Sequence, residues 1–184
     1  MPILLFLIAL LAAPFAWAQA GEPIVPVIRD TYIFNSNEDE QHIIVAAVLK
    51  RLDPRLLYQF NFDTNQDGIE DRVIQVTLQE QGSKLQATVT GPSIPERTGE
   101  IVQPVKAQSM RGPVSTDASP NILSERGKSL RAFVGRRDDP TGGELYNAKN
   151  VDLIAIDLAT AEVLAEFKPE LNFWVTTYQP EEQN

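Results

Sequence analysis

Residues Tyr58 to Gly91, YQFNFDTNQDGIEDRVIQVTLQEQGSKLQATVTG, constrain the fold more than any other stretch. Three runs carry apolar side chains at alternate positions, and turns made of Gly, Asn, Asp and Ser separate them. A period of two collects the apolar set on one face of an extended chain. The links are too short for a parallel crossover, so the three strands are expected to be antiparallel neighbours in a meander.

The same grammar runs through the rest of the chain. Thr31 to Phe34 reads as a short strand ended by the turn NSNEDE. The near-continuous apolar run HIIVAAVLK, His42 to Lys50, reads as a central strand covered on both faces. SLRAFVG, VDLIAIDL and NFWVTTY add further strands. From Pro92 to Gly127 the chain is dotted with Pro, Ser and Gly and reads largely as loop lying over the sheet, with one strand around GEIVQPVKA. ATAEVLAEF suits either a helical turn or the arm of a hairpin, and a short helix is favoured. The fold class expected is an all-β, antiparallel β-sandwich-like domain with long loops and at most one or two short helices.

The N-terminal run MPILLFLIALLAAPFAWAQAGEP has no charged side chain before Glu22 and closes on two Ala-x-Ala signals, Ala16-Trp17-Ala18 and Ala18-Gln19-Ala20. That is the pattern of a secretory signal peptide over residues 1–18, cut after Ala18 or Ala20; an uncleaved membrane anchor is the alternative. A single β domain over residues 21–184 then follows. Outside the signal run, no segment reaches the roughly 18 apolar residues of a membrane helix. The sequence has no cysteine, which excludes disulfides and cysteine-linked lipid anchoring. The net charge of -9 repels nucleic acid and anionic membrane surfaces and suits a chain that collects divalent cations. A periplasmic or secreted location follows.

The acidic loop DTNQDGIED, Asp63 to Asp71, is the most chemical motif. Calcium takes six to eight oxygens, and a short loop can supply them from alternate residues. Asp63, Asn65 and Asp67 fall at loop positions one, three and five, Gly68 at six, the Ile69 carbonyl at seven and Asp71 at nine. The string resembles thrombospondin type 3 loops and the first part of an EF-hand loop. It departs at position twelve, where Ile74 replaces the bidentate Glu. A plain β-turn also selects Asn, Asp and Gly. Yet the four carboxylates of Asp63, Asp67, Glu70 and Asp71 repel one another unless something neutralises them.

The second cluster is GRRDDP, with Arg136, Arg137, Asp138 and Asp139 before Pro140. It reads as a site for an anionic or sugar ligand, or as an ion-pair network fixing a loop on the sheet; the matched charges favour the network. His42 is the one histidine, and there is neither a G-x-S-x-G motif nor a cysteine nucleophile. No catalytic residue is assigned. Trp174 and Tyr178 could line a sugar platform, although aromatic residues on strands usually belong to the core.

DTYIF, YQFNFDTNQDGIEDRVIQVTL, RAFVGRRDDP, NVDLIAIDL and FWVTTY together resemble, in this order, the bacterial domain-of-unknown-function 4331 family. The resemblance spans nearly the whole mature chain and implies a secreted, mostly β protein without an established activity. It departs after Pro140, where TGGELYNAK leads directly to the next strand instead of a long insertion.

The expectation is therefore a non-enzymatic, calcium-binding module for a protein or carbohydrate partner. The alternatives are a carboxylate-dependent hydrolase of an envelope polymer and a structural envelope module. Intact-mass analysis of the exported protein should give a soluble product beginning at Gln19 or Gly21; a full-length product that pellets with membranes is the contrary result.

Overall fold

The computed structural model describes residues 28–36, 40–99, 102–116, 121–125, 130–137, 151–163 and 171–180. Their alternating segments form strands β1 (Ile28–Asn35), β2 (His42–Leu49), β3 (Leu57–Asp63), β4 (Arg72–Gln81) and β5 (Lys84–Ser93). There follow β6 (Ser109–Pro113), β7 (Leu123–Glu125), β8 (Leu130–Arg137), β9 (Val151–Ala159) and β10 (Asn172–Tyr178). Among the described residues these make two five-stranded antiparallel sheets, ordered β1-β2-β9-β8-β7 and β10-β3-β4-β5-β6. The all-β sandwich and the β3-β4-β5 meander are as the sequence implies.

The inward positions follow the period of two. Ile43, Val45, Ala47 and Leu49 on β2, with Ile154, Ile156 and Leu158 on β9, meet Tyr58, Phe60 and Phe62 on β3 and Ile74, Val76 and Leu78 on β4. Phe173 on the edge strand β10 tilts against Phe60 and Phe62, with ring centroids 6.0 and 5.6 Å away. This shared apolar layer supplies the main driving force for joining the sheets.

The chain steps between sheets at two described joints. At the β2–β3 corner, the Tyr58 hydroxyl accepts the Asp53 N–H at 2.6 Å, and Arg55 grips the Asp53 carboxylate. After β6, the Val114 N–H bonds to Leu85 in one sheet, while the Ser115 N–H bonds to Val134 in the other. The Arg136 N–H returns to the Ser115 carbonyl. Ser115 can come this close because residue 135 is glycine: a Cβ there would collide with the Ser115 carbonyl oxygen and side chain.

One segment differs from its expected form. The strand expected in GEIVQPVKA lies further on, at β6. Residues 102–106 instead form an irregular strap, whose Gln103 carbonyl and Val105 N–H are bound by the Gln75 side chain. Pro104 has no N–H to give a ladder. In ATAEVLAEF the described part is a single 3-10 turn, Thr160–Glu162; residues 164–170 lie outside the described set, as do residues 1–27. β2 is buried on both faces as expected, but it lies second from the sheet edge, between β1 and β9. Among the described residues no helix is long and apolar enough to cross a membrane.

Gly135→Ala should lower stability by about 1–3 kcal/mol, the usual cost of forcing extra volume into a packed contact. Urea denaturation measures it, and an unchanged midpoint would show that the Ser115 joint is not a tight one.

Candidate functional site

The acidic loop joins β3 to β4, and its carboxylates part company instead of converging. Asp63, at the end of β3, is completely buried. It accepts the N–H groups of Gln66 at 2.6 Å, Gly68 at 2.9 Å and Asn65 at 3.3 Å, and the Asn172 side-chain amide at 3.1 Å. Burial pushes its pKa up, but these donors outweigh burial and hold the carboxyl below its ordinary value.

Asp71 accepts the Thr64 N–H and hydroxyl and the Asn65 side-chain amide. Asn65 caps Asp67, and Asp67 caps Ile69, each through a backbone N–H at 2.9 Å. Glu70 leaves the loop altogether and accepts the Gly99 N–H at 2.8 Å. Gln66 and Gly68 take positive φ, 65° and 83°, which lets the chain turn sharply.

The mutual repulsion expected of four packed carboxylates is thus met by backbone and amide donors. Among the described residues no three His, Cys, Asp or Glu side chains are grouped to hold a metal. The donor set of Asp63, Asn65, Asp67, the Ile69 carbonyl and Asp71 is nonetheless all oxygen, the chemistry calcium takes.

At the opposite end of β3 a cleft of about 810 Å³ opens between the sheets. It forms where the inward-facing series change character. On β8, Leu130, Ala132 and Val134 are followed at the same parity by Arg136; on β9, Asp152 precedes Ile154, Ile156 and Leu158. On β4, Glu80 follows Ile74, Val76 and Leu78. Arg136 and Asp152 are direct cross-strand partners, with Nε 3.3 Å from the carboxylate. Asp152 is 5% exposed and also accepts the Leu52 N–H at 2.6 Å. Arg51 from the β2–β3 corner, Lys84 from the β4–β5 hairpin, and Ser115 also line the cleft.

Arg136 therefore reaches across to Asp152 on the next strand. The backbone of Arg137 ends β8, opposite Val151; Asp138 and Asp139 lie outside the described residues. On the outer face of the β1–β9 sheet, His42 Nδ1 lies 2.9 Å from Asp157, which Arg131 also grips. That arrangement is a cross-strand strut. Phe173 and Val175 pack against the core from the sheet edge, so Trp174 and Tyr178, at the opposite parity, lie half-buried on the outer face.

No protein-family model, curated protein or solved structure matches the chain. The cleft residues Arg51, Glu80, Lys84 and Asp152 did not stand out in the sequence. For Glu80 and Asp152 the signal is parity: a charged side chain at the apolar phase of a strand, as in V-D-L-I-A-I-D-L, must sit where the sandwich interior meets water; Arg51 and Lys84 carry no such mark.

The depressed carboxyls give a pH dependence. Hydrogen bonding from Arg55 is the main cause for Asp53, and the four donors act on Asp63 against burial. Native carboxyls of this kind bind protons less readily than unfolded ones, so their stabilisation is complete above the unfolded value of about 3.9. It is lost as pH falls through the lower native values. Melting temperature should hold on acidification to about pH 4 and then fall, and Asp63→Asn should flatten that acid limb. An acid limb of equal slope in the variant would remove Asp63 from the account.

Proposed function

We propose that the protein is an exported, non-enzymatic binding module whose ligand site is the cleft at the β2–β3 corner. The observation that carries this reading is the polar ending of the inward strand series. Arg136, Asp152 and Glu80 stand at core-facing positions beside a cleft of about 810 Å³, within the roughly 300–1,000 Å³ usual for small-molecule sites. The corner is made rigid by Tyr58, whose hydroxyl is pushed up to about 12, chiefly by burial. A preformed cleft on rigid elements binds with little ordering cost. Export is supported by the apolar N-terminal run with its paired Ala-x-Ala signals.

The hydrolase alternative has less support. Asp152 is committed to Leu52 and Arg136, Glu70 to Gly99, and Asp157 to His42 and Arg131. Carboxylates so engaged are struts in the present arrangement, not a facing acid–base pair.

A second site is proposed at the acidic loop, for calcium. It is supported by the all-oxygen donor set and by positive φ at Gly68, the position where such a loop needs a left-handed residue. Asp67 is exposed and caps only the Ile69 N–H among its described hydrogen bonds, so Asp67→Ala tests the ion without opening the Asp63 cage.

Two measurements check these readings. A screen of small molecules by amide chemical shifts should move Leu52, Ser83 and Ser115 together and saturably; shifts scattered over the surface would overturn the cleft reading. With 1 mM calcium and a dissociation constant of about 10⁻⁴ M, linkage gives about 1.4 kcal/mol of stabilisation. Magnesium should do less, and Asp67→Ala should abolish the gain. Identical melting curves in calcium and in chelator would leave the loop a hydrogen-bonded turn.

A further inference from the structure

The cleft collects positive charge in a chain whose net charge is -9. Arg51, Lys84 and Arg136 all line it, against Glu80 and Asp152. Asp152 is already matched: it is buried, bonded to the Leu52 N–H and paired with Arg136 through Nε. The other charged residues of the lining are Arg51, Lys84 and Glu80. Arg51 and Lys84 are both exposed, and among the described residues neither forms an ion pair or a side-chain hydrogen bond. Arg51 acts on the Asp53 carboxylate only through space, and two cations outside any ion pair beside a cleft hold charge that a ligand can use.

Their placement is fixed by the fold. Arg51 precedes Leu52, whose N–H is held by Asp152, and stands two residues before the Tyr58-clamped Asp53. Lys84 opens β5 directly after the two-residue turn Gly82–Ser83, with Gly82 at a φ of 63°. Arg136 is anchored from behind by a buried carboxylate, and its described side-chain bond uses Nε alone. A guanidinium held this way can still present its other N–H groups to an oxyanion.

From this we infer that the cleft is an oxyanion site, which engages a small ligand through a carboxylate or phosphate group between Arg51, Lys84 and Arg136. The inference rests on the proposal that this cleft is the ligand site, and supplies the ligand's chemistry.

Calorimetric titration of the full protein with citrate and with pyrophosphate tests it, at low and at physiological salt. One of the two should bind saturably with a single site. Citrate alone would mark a polycarboxylate ligand and pyrophosphate alone a phosphoryl one, both in support. Arg51→Ala and Lys84→Ala should each weaken binding by about tenfold, as expected for a lost charge-assisted contact. Neither variant should move the melting temperature. Lys106→Ala, an equal charge change on the distant strap, should leave binding intact. Equal weakening by Lys106→Ala would reduce the effect to overall charge and overturn the inference. So would cleft amide shifts produced by neutral sugars but not by either anion, which would leave the cleft a ligand site of another kind. Silence from anions and sugars alike would remove both the inference and the cleft reading beneath it.

Discussion

Strand β3 is buried on both faces, and much of the molecule is arranged to make that tolerable. One face carries Tyr58, Phe60 and Phe62 into the core. The other carries Gln59, Asn61 and Asp63, each less than 5% exposed. Buried polar groups cost free energy unless hydrogen-bonded, and among the described residues no buried side-chain nitrogen or oxygen is left without a partner. Gln59 is bonded to Asn61 and Gln75, and Asn61 to the Trp174 carbonyl and Thr176 on β10. Gln75 binds the strap at Gln103 and Val105, and Asp63 takes the acidic loop and Asn172. The strap, the edge strand and the loop are thus fixed to one polar row.

The two ends of this strand do different things with the same chemistry. At Asp63 the polar groups close on themselves, with three backbone N–H groups and the Asn172 amide filling the carboxylate. At the β2–β3 corner the Tyr58 clamp and the Arg136–Asp152 pair hold the frame, while Arg51 and Lys84 face open space in the cleft. A self-satisfied end suits stability, and an end with cations to spare suits recognition. This division is the ground on which the cleft is proposed as the ligand site.

The strands and their antiparallel meander were legible because alternation is a local signal. The runs around Val73 to Leu78 and Ile154 to Leu158 need only their own residues to declare a buried face. The loop lying over the sheet was legible from its Pro, Ser and Gly content. The position of β6 was not, because the Gln75 side chain, distant in sequence, captures the backbone of residues 103–105. Equally hidden was the fate of the four loop carboxylates. Their spacing suggests convergence, yet Glu70 turns away to Gly99 and Asp63 turns into the protein.

The sequence by itself determined the class of fold, since a period of two with tight polar turns permits little but antiparallel sheet. It determined the need for Gly135 only implicitly: the glycine is visible, but the Ser115 backbone that crowds it arrives from a different sheet. Tertiary structure alone decided which charged residues meet. Arg136 meets Asp152, sixteen positions along the chain, because β8 and β9 are antiparallel neighbours in that register. Register brings together residues that no local pattern links, and in this chain it assembles the cleft.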